Sequence, residues 1–141
     1  MGKIKSGDIL RLLNPSEAPI EWLTVYAGQT TILLDASFAS GSAWEARDVG
    51  GGKFSLRNPN GSTAQFLDIT SAGAVFLNDD AVDTSTHWKF EASATAGLYL
   101  LTSHFGSFLT AGQGGDLHKV LGDSHPEIPQ AQWAVLIEAE V

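Results

Sequence analysis

Cysteine is absent from the 141 residues, and no apolar run approaches the roughly 20 residues that a transmembrane helix needs. The first absence excludes a disulfide framework and thiolate metal sites. The second predicts that the chain has no membrane span. The N-terminus also lacks an apolar run of signal-peptide length, so we expect a cytoplasmic protein, with non-classical export as the alternative.

Basic residues are scarce, since eight Lys and Arg face sixteen Asp and Glu and the net charge is −8. A surface of this sign repels phosphate backbones, so we expect no nucleic-acid partner. Catalytic motifs are scarce as well. The sequence contains neither a Gly-x-Ser-x-Gly elbow nor a His-Glu-x-x-His zinc helix, and no spacing pairs an acid with a base. We therefore expect a protein that is not an enzyme and that uses no metal and no cofactor.

Glycine and aromatic residues are abundant. The chain has 15 Gly, seven Phe, four Trp and two Tyr, and it is 43% hydrophobic. This composition suits a globular protein made of many short strands and tight turns. The length fits a single domain with a sizeable core.

A glycine recurs every 45 residues, at Gly7, Gly52 and Gly97. Each glycine precedes a short apolar run that is typical of a strand, and a turn rich in Asn, Pro, Gly or Ser follows. The spacing predicts one strand-rich unit of about 45 residues that is repeated three times.

Two aromatic features recur within each unit. An aromatic–leucine pair lies in the middle of the units, at Trp22-Leu23, Phe66-Leu67 and Phe108-Leu109. A tryptophan begins the last apolar run of each unit, at Trp44, Trp88 and Trp133. Because an indole can bury roughly 150–250 Å², we expect these three tryptophans in the core rather than on a ligand surface.

An aspartate also recurs two residues after a leucine. The pairs are Leu33 with Asp35, Leu77 with Asp79, and Leu121 with Asp123. Repetition in all three units favours a structural role for these aspartates, as acceptors of backbone N–H groups in a turn.

Four short strands in each of three units predict an all-β chain of twelve strands. Sustained helical periodicity is absent, and a propeller normally needs at least about four blades. Three units that close on themselves instead predict a β-trefoil, a barrel with a hairpin cap and pseudo-threefold symmetry. We expect one domain over residues 1–141, with repeats at about 7–48, 49–93 and 94–141.

The units resemble the β-trefoil superfamily of ricin-B-type lectins, particularly the cysteine-free lectins of mushrooms. In the second unit, Phe66-Leu67-Asp68-Ile69, Gly73-Ala74-Val75-Phe76-Leu77 and Thr86-His87-Trp88 are similar to the Leu-Asp-Val, Gly-x-x-Val-x-Leu and Gln-x-Trp segments of that superfamily. In the third unit, Gly106 to Ala111 resembles a strand of fascin-type trefoils.

The chain departs from the superfamily pattern at two places. The Gln of Gln-x-Trp is replaced by Ser42, Thr86 and Ala131. The sugar-binding Asp that follows the aromatic–leucine pair is present only as Asp68. The resemblance therefore implies one carbohydrate site, in the second unit.

Five residues are candidates for that site, namely Asp68, Gly73, Asn78, Asp79 and His87. Asp68 ends one strand of the unit, and Asn78 and Asp79 end the next. Adjacent antiparallel strands should therefore bring these groups to one rim. Ionised carboxylates accept sugar hydroxyls in charge-assisted bonds. His87 precedes an inward tryptophan, so it should face outward and offer a ring donor or a stacking surface.

The resemblance implies a lectin that binds galactose or N-acetylgalactosamine glycans, with a role in defence. Similar lectins commonly dimerise, so a homodimer is a candidate assembly. Two alternatives remain open. One is a protease inhibitor acting through an exposed loop, for which the stretch from Leu121 to Gln132 is the candidate. The other is a fascin-like interaction module, although bundling generally calls for several trefoils or basic patches.

Overall fold

The computed structural model describes residues 4–16, 21–28, 32–35, 40–80, 82–112 and 119–138. These residues form twelve short strands and three 3-10 helices. The strands are β1 Ile9–Asn14, β2 Glu21–Val25, β3 Ile32–Asp35, β4 Trp44–Gly50, β5 Lys53–Arg57, β6 Phe66–Ile69, β7 Val75–Asn78, β8 His87–Ala92, β9 Tyr99–Thr102, β10 Phe108–Ala111, β11 Val120–Asp123 and β12 Ala134–Ile137. The helices are Ser40–Ser42, Thr84–Thr86 and Pro129–Ala131, before β4, β8 and β12. Within these ranges no helix has the length and hydrophobicity to cross a membrane.

Six of the strands form a closed antiparallel barrel in the order β1, β4, β5, β8, β9, β12. The ring closes where β12 pairs with β1, with Leu10 opposite Ile137 and Leu13 opposite Ala134. Closure leaves no free sheet edge in the barrel, which removes the usual aggregation hazard of an all-β chain.

The other six strands form three hairpins, β2–β3, β6–β7 and β10–β11. The second strands of these hairpins, β3, β7 and β11, lie against one another and cap the barrel. A six-stranded barrel with a threefold hairpin cap is a β-trefoil, so the predicted fold class is confirmed.

The glycine recurrence has a conformational cause. Gly7, Gly52 and Gly97 have φ values of +95°, +76° and +83°. A residue with a side chain rarely adopts this left-handed region, whereas glycine does so without steric cost. Each of these glycines precedes the first strand of its unit, and the turn geometry explains why the spacing is so regular.

The three recurring tryptophans are fully buried, as predicted, with no exposed surface on Trp44, Trp88 or Trp133. Each indole N–H donates a hydrogen bond to the carbonyl of the leucine in the aromatic–leucine pair of its own unit. The acceptors are Leu23 at 3.0 Å, Leu67 at 3.0 Å and Leu109 at 2.8 Å. One side chain in each unit therefore fills the core and joins the barrel to its hairpin.

The predicted equivalence of Asp35, Asp79 and Asp123 is wrong in the second unit. Strand pairing places Asp35 opposite Trp22 and Asp123 opposite Phe108. In the second unit the residue opposite the aromatic is Asn78. A shift of one residue moves a strand side chain to the other face of the sheet, so Asp79 does not share the position of the other two aspartates.

Trp88→Ala should lower the free energy of unfolding by about 3–5 kcal/mol, because it leaves a large cavity and removes a buried hydrogen bond. Urea unfolding followed by circular dichroism measures this loss. Val82→Ala is the control, since Val82 is 79% exposed and its truncation should change stability by less than about 0.5 kcal/mol. A loss below about 1 kcal/mol for Trp88→Ala would contradict the core position.

Candidate functional site

The outer face of the β6–β7 hairpin gathers two aromatic rings, a carboxylate and an amide. Phe66 pairs with Asn78 and Asp68 pairs with Phe76 across the two strands. Residues directly opposite in an antiparallel pair project from the same face, and alternate residues along a strand share that face. Phe66, Asp68, Phe76 and Asn78 therefore form one group, which we call the β6–β7 face.

Asp68 lies at the bottom of this face with 1% of its surface exposed. Its Oδ1 accepts the backbone N–H of Ile69 at 2.6 Å. Its Oδ2 accepts a hydrogen bond from Asn78 Nδ2 at 2.8 Å. Both carboxylate oxygens are thus already bonded by donors of the protein.

The equivalent positions in the other two units carry a different interaction. Thr24 and Thr110 each donate their hydroxyl to the carbonyl two residues earlier, on Trp22 at 2.9 Å and on Phe108 at 2.8 Å. An ionised carboxylate cannot donate a hydrogen bond. Asp68 therefore requires a donor from the neighbouring strand, and the Asn78 amide supplies it.

Asn78 connects the buried carboxylate to the surface. Its Nδ2 also donates to Asp83 Oδ2 at 3.0 Å, and its Oδ1 accepts the backbone N–H of Asp80 at 3.0 Å. Asn78 is half-buried and Asp83 is exposed. The result is a hydrogen-bonded chain, Asp68–Asn78–Asp83, which runs from the interior to solvent.

Phe76 lies opposite Asp68 and is 39% exposed. The corresponding residues, opposite Thr24 and Thr110, are Leu33 and Leu121. The second unit therefore differs from the other two at both members of this cross-strand pair, with an aromatic ring and a carboxylate in place of a leucine and a threonine.

The other predicted site residues, Gly73, Asp79 and His87, are not members of this group. Asp79 is exposed on the turn after β7. His87 begins β8, is half-buried and lies opposite Ser55 on β5. The structure thus joins Asp68 and Asn78 directly and places Asp79 next in the chain.

Gly73 lies at the other end of the hairpin. Its φ is +92°, and a Cβ there would lie 2.7 Å from the Gly122 carbonyl oxygen of the third unit. The Gly73 carbonyl accepts the Gly122 N–H at 2.8 Å. Gly73 is therefore required for a close backbone contact between two units. This contact explains the glycine without a role in sugar binding.

The turn role predicted for the recurring aspartates is seen for Asp123, which accepts the N–H of His125 at 2.9 Å. In the second unit Asn78, and not Asp79, accepts a turn N–H, that of Asp80. His125 Nδ1 also lies 2.6 Å from Asp123 Oδ1. This side-chain hydrogen bond lowers the pKa of Asp123 and raises the pKa of His125. No cluster of three metal-ligating side chains occurs in the part of the chain that the structure describes.

Sequence reasoning did not assign a site role to Phe76 or to Asp83. Alternation from the inward Leu77 places Phe76 outward, so Phe76 could have been identified from the strand pattern. The position of Asp83 has no comparable signal, because it depends on how the segment before Trp88 folds back onto β6.

Comparisons with known proteins address the fold. No protein-family model and no curated protein sequence matches the chain. A designed threefold-symmetric protein, ThreeFoil, superimposes with a TM-score of 0.74 and 20% identity, covering 93% of this chain and 99% of that one. SeviL bound to the asialo-GM1 saccharide gives a TM-score of 0.75 with 13% identity, covering 92% and 97%.

A lectin from Polyporus squamosus, bound to the glycan Neu5Acα2-6Galβ1-4GlcNAc, gives a TM-score of 0.75 with 14% identity. The match covers 94% of this chain and 50% of that one, so this chain spans half the length of the Polyporus lectin. At these identities the comparisons show the β-trefoil fold, and the ricin-B subclass and the link to mushroom lectins stay predictions.

Asp68→Asn should lower the free energy of unfolding by about 1–3 kcal/mol, because a buried amide would turn its NH₂ group towards one of the two donors that now bond the carboxylate. Thermal or urea unfolding measures the change. Asp79→Asn makes the same chemical change at an exposed position in the turn after β7. It should alter stability by less than about 0.5 kcal/mol. Equal effects of the two changes would show that the Asp68 carboxylate is not bonded within the protein.

Proposed function

We propose that this chain is a carbohydrate-binding lectin and that the β6–β7 face of the second unit is its sugar site. The observation that carries the proposal is the exposed Phe76 ring lying opposite Asp68, beside the Asp68–Asn78–Asp83 chain. Sugar sites in proteins combine an apolar surface for the C–H face of the ring with fixed polar groups that orient the hydroxyls. The β6–β7 face offers both.

Each group has a distinct task in this proposal. The Phe76 ring packs against the apolar face of the sugar. The exposed Asp83 carboxylate accepts a hydroxyl hydrogen in a charge-assisted bond, and a free lone pair of Asn78 Oδ1 accepts another. Asp68 positions Asn78 from behind, while Asp79 and His87 flank the bound ring. This arrangement retains Asp68, Asn78, Asp79 and His87, leaves out Gly73, and moves direct contact with the sugar from Asp68 to the surface residues.

The other two units provide an internal contrast. Their hairpins place Leu33 and Leu121 where the second unit has Phe76, and threonines where it has Asp68. Among the described residues of these two hairpins, neither set combines an aromatic stacking surface with a carboxylate-bound amide. The proposal therefore has one such site for each chain.

The preference for galactose or N-acetylgalactosamine follows from the ricin-B resemblance. The glycan in the Polyporus lectin structure contains galactose, which supports the same class of ligand. We further propose that the protein binds without catalysis, that it acts in the cytoplasm, and that it serves in defence by recognising foreign glycans.

Phe76→Ala should weaken binding to a galactose-containing glycan about tenfold to seventyfold. A sugar ring that covers roughly 60–100 Å² of the phenyl surface gains about 1.5–2.5 kcal/mol at about 25 cal/mol per Å². A glycan array identifies the ligand, and isothermal titration of the parent and variant proteins measures the change in Kd.

Leu121→Ala is the matched control, because Leu121 occupies the equivalent position in the third unit with a similar exposure of 36%. It should leave the Kd unchanged. Equal weakening by the two variants would place the site elsewhere on the cap, and the absence of any glycan ligand for the parent protein would refute the lectin proposal.

A further inference from the structure

A groove of about 290 Å³ lies where the third unit meets the first. None of its residues belongs to the β6–β7 hairpin. Its walls come from three segments, the turn after β1, the β8–β9 turn, and the segment before Trp133. The lining residues are Pro15, Ser16, Thr95, Leu98, Glu127, Pro129 and Gln132.

The third unit differs from the others in the residue that precedes its tryptophan. Gln132 comes directly before Trp133, whereas Ala43 precedes Trp44 and His87 precedes Trp88. The groove therefore departs from the threefold symmetry, and one of its walls belongs to the stretch from Leu121 to Gln132 that is the candidate protease-inhibiting loop.

Buried hydrogen bonds fix the groove before any ligand arrives. The Asn14 side chain, 3% exposed, donates from Nδ2 to the Gln130 carbonyl at 2.9 Å. Its Oδ1 accepts the backbone N–H of Ser16 at 3.1 Å. One side chain thus ties the turn after β1 to the segment before Trp133, which places two walls of the groove in a fixed relation.

Gln132 lines the groove with an amide that is buried, 5% exposed, and poorly satisfied. Its Nε2 lies 3.4 Å from the Glu127 carbonyl and 3.5 Å from the Ile128 carbonyl. Both distances exceed the usual 2.7–3.2 Å of N–H···O bonds.

The side-chain oxygen of Gln132, Oε1, also makes only a long hydrogen bond. Its partner is the Ser93 hydroxyl oxygen at 3.3 Å, and the same hydroxyl oxygen lies closer to the Thr95 carbonyl oxygen, at 3.0 Å. The Ser93 hydroxyl has one hydrogen to donate to these two acceptors. A buried amide without full hydrogen bonds is costly, so a ligand that bonds to it gains more than it would at an exposed amide.

We infer that this groove is a second binding site, for a neutral polyhydroxylated ring the size of one monosaccharide. Pro15, Leu98 and Pro129 provide apolar walls for the C–H face of such a ring. The Gln132 amide offers both a donor and an acceptor at the base, and the exposed Glu127 carboxylate accepts a hydroxyl at the rim. The same carboxylate and the net charge of −8 disfavour an anionic ligand.

The second site shares only its class of ligand with the proposed function, and it does not depend on Phe76. The test is a heteronuclear NMR titration of the labelled chain with glucose, galactose, mannose, N-acetylglucosamine and N-acetylgalactosamine at millimolar concentrations. At least one sugar should cause saturable shifts of the Thr95 and Leu98 amides and of the Gln132 side-chain NH₂.

Two variants test the role of the amide. Gln132→Leu should weaken groove binding about tenfold, the effect of losing a hydrogen-bonded group. Gln130→Leu changes the same residue type in the same segment but outside the lining and should leave the Kd within about twofold. Leu98→Ala removes an apolar wall without touching the amide, should weaken binding severalfold, and keeps the test decisive if Gln132→Leu fails to fold.

Phe76→Ala separates the two sites, because it should weaken binding at the β6–β7 face about tenfold to seventyfold and leave binding in the groove unchanged. If no sugar shifted residues of the β6–β7 face in the parent protein while groove residues shifted, the proposed function would be refuted and the groove site would stand. The inference would be overturned if no sugar caused saturable shifts at Thr95, Leu98 and Gln132. It would also be overturned if Gln132→Leu and Gln130→Leu weakened binding equally.

Discussion

The hydrogen bond from each buried indole to a leucine carbonyl is the interaction on which the rest of the structure depends. In the first two units it joins the start of the last barrel strand to the first strand of the hairpin, and in the third unit it does so from Trp133, directly before β12. An indole N–H buried without an acceptor would cost about as much as a hydrogen bond gains, so the tryptophan fixes the hairpin as well as filling space. Three such bonds fix the position of the cap relative to the barrel. The surface features of the units differ while this arrangement stays the same.

Both proposed sites lie where the threefold pattern is broken. The second unit exchanges a self-satisfied threonine for Asp68, whose carboxylate needs a partner from β7. The third unit has Gln132 directly before its tryptophan, where the other units have Ala43 and His87, and the Gln132 side chain makes long hydrogen bonds. Symmetry-equivalent positions show what the fold requires for stability, because the first unit folds without either feature. Departures from symmetry therefore separate candidate binding groups from structural ones within a single chain.

The fold was predictable because its strongest constraints recur in the sequence. Left-handed glycines and buried tryptophans recur at a regular spacing, although most residues between them differ from one unit to the next. The residue of the third strand that faces the core was harder to predict. In the first unit Leu33 and Leu34 are adjacent, and from the sequence either could face inward. In the third unit the inward position is Gly122, where a Cβ would lie 2.5 Å from Ile69 Cδ1, so hydrophobicity points to the exposed Leu121 instead. The burial of Asp68 was not predictable either, because it depends on side chains that fold over it from β7 and from the segment before Trp88.

The closure of the barrel has a consequence for how the chain folds. The barrel closes only when β1 pairs with β12. This pairing of the first strand therefore cannot form before the last strand is available. Contacts between residues so distant along the chain require most of the backbone to be ordered before they form, and the entropy of closing that loop slows folding. During synthesis β1 can pair with β2 and β4 along one side, and its other side stays open until the final unit emerges. The early hairpins must remain soluble in that interval through their own local pairing and through the mutual repulsion of an acidic chain.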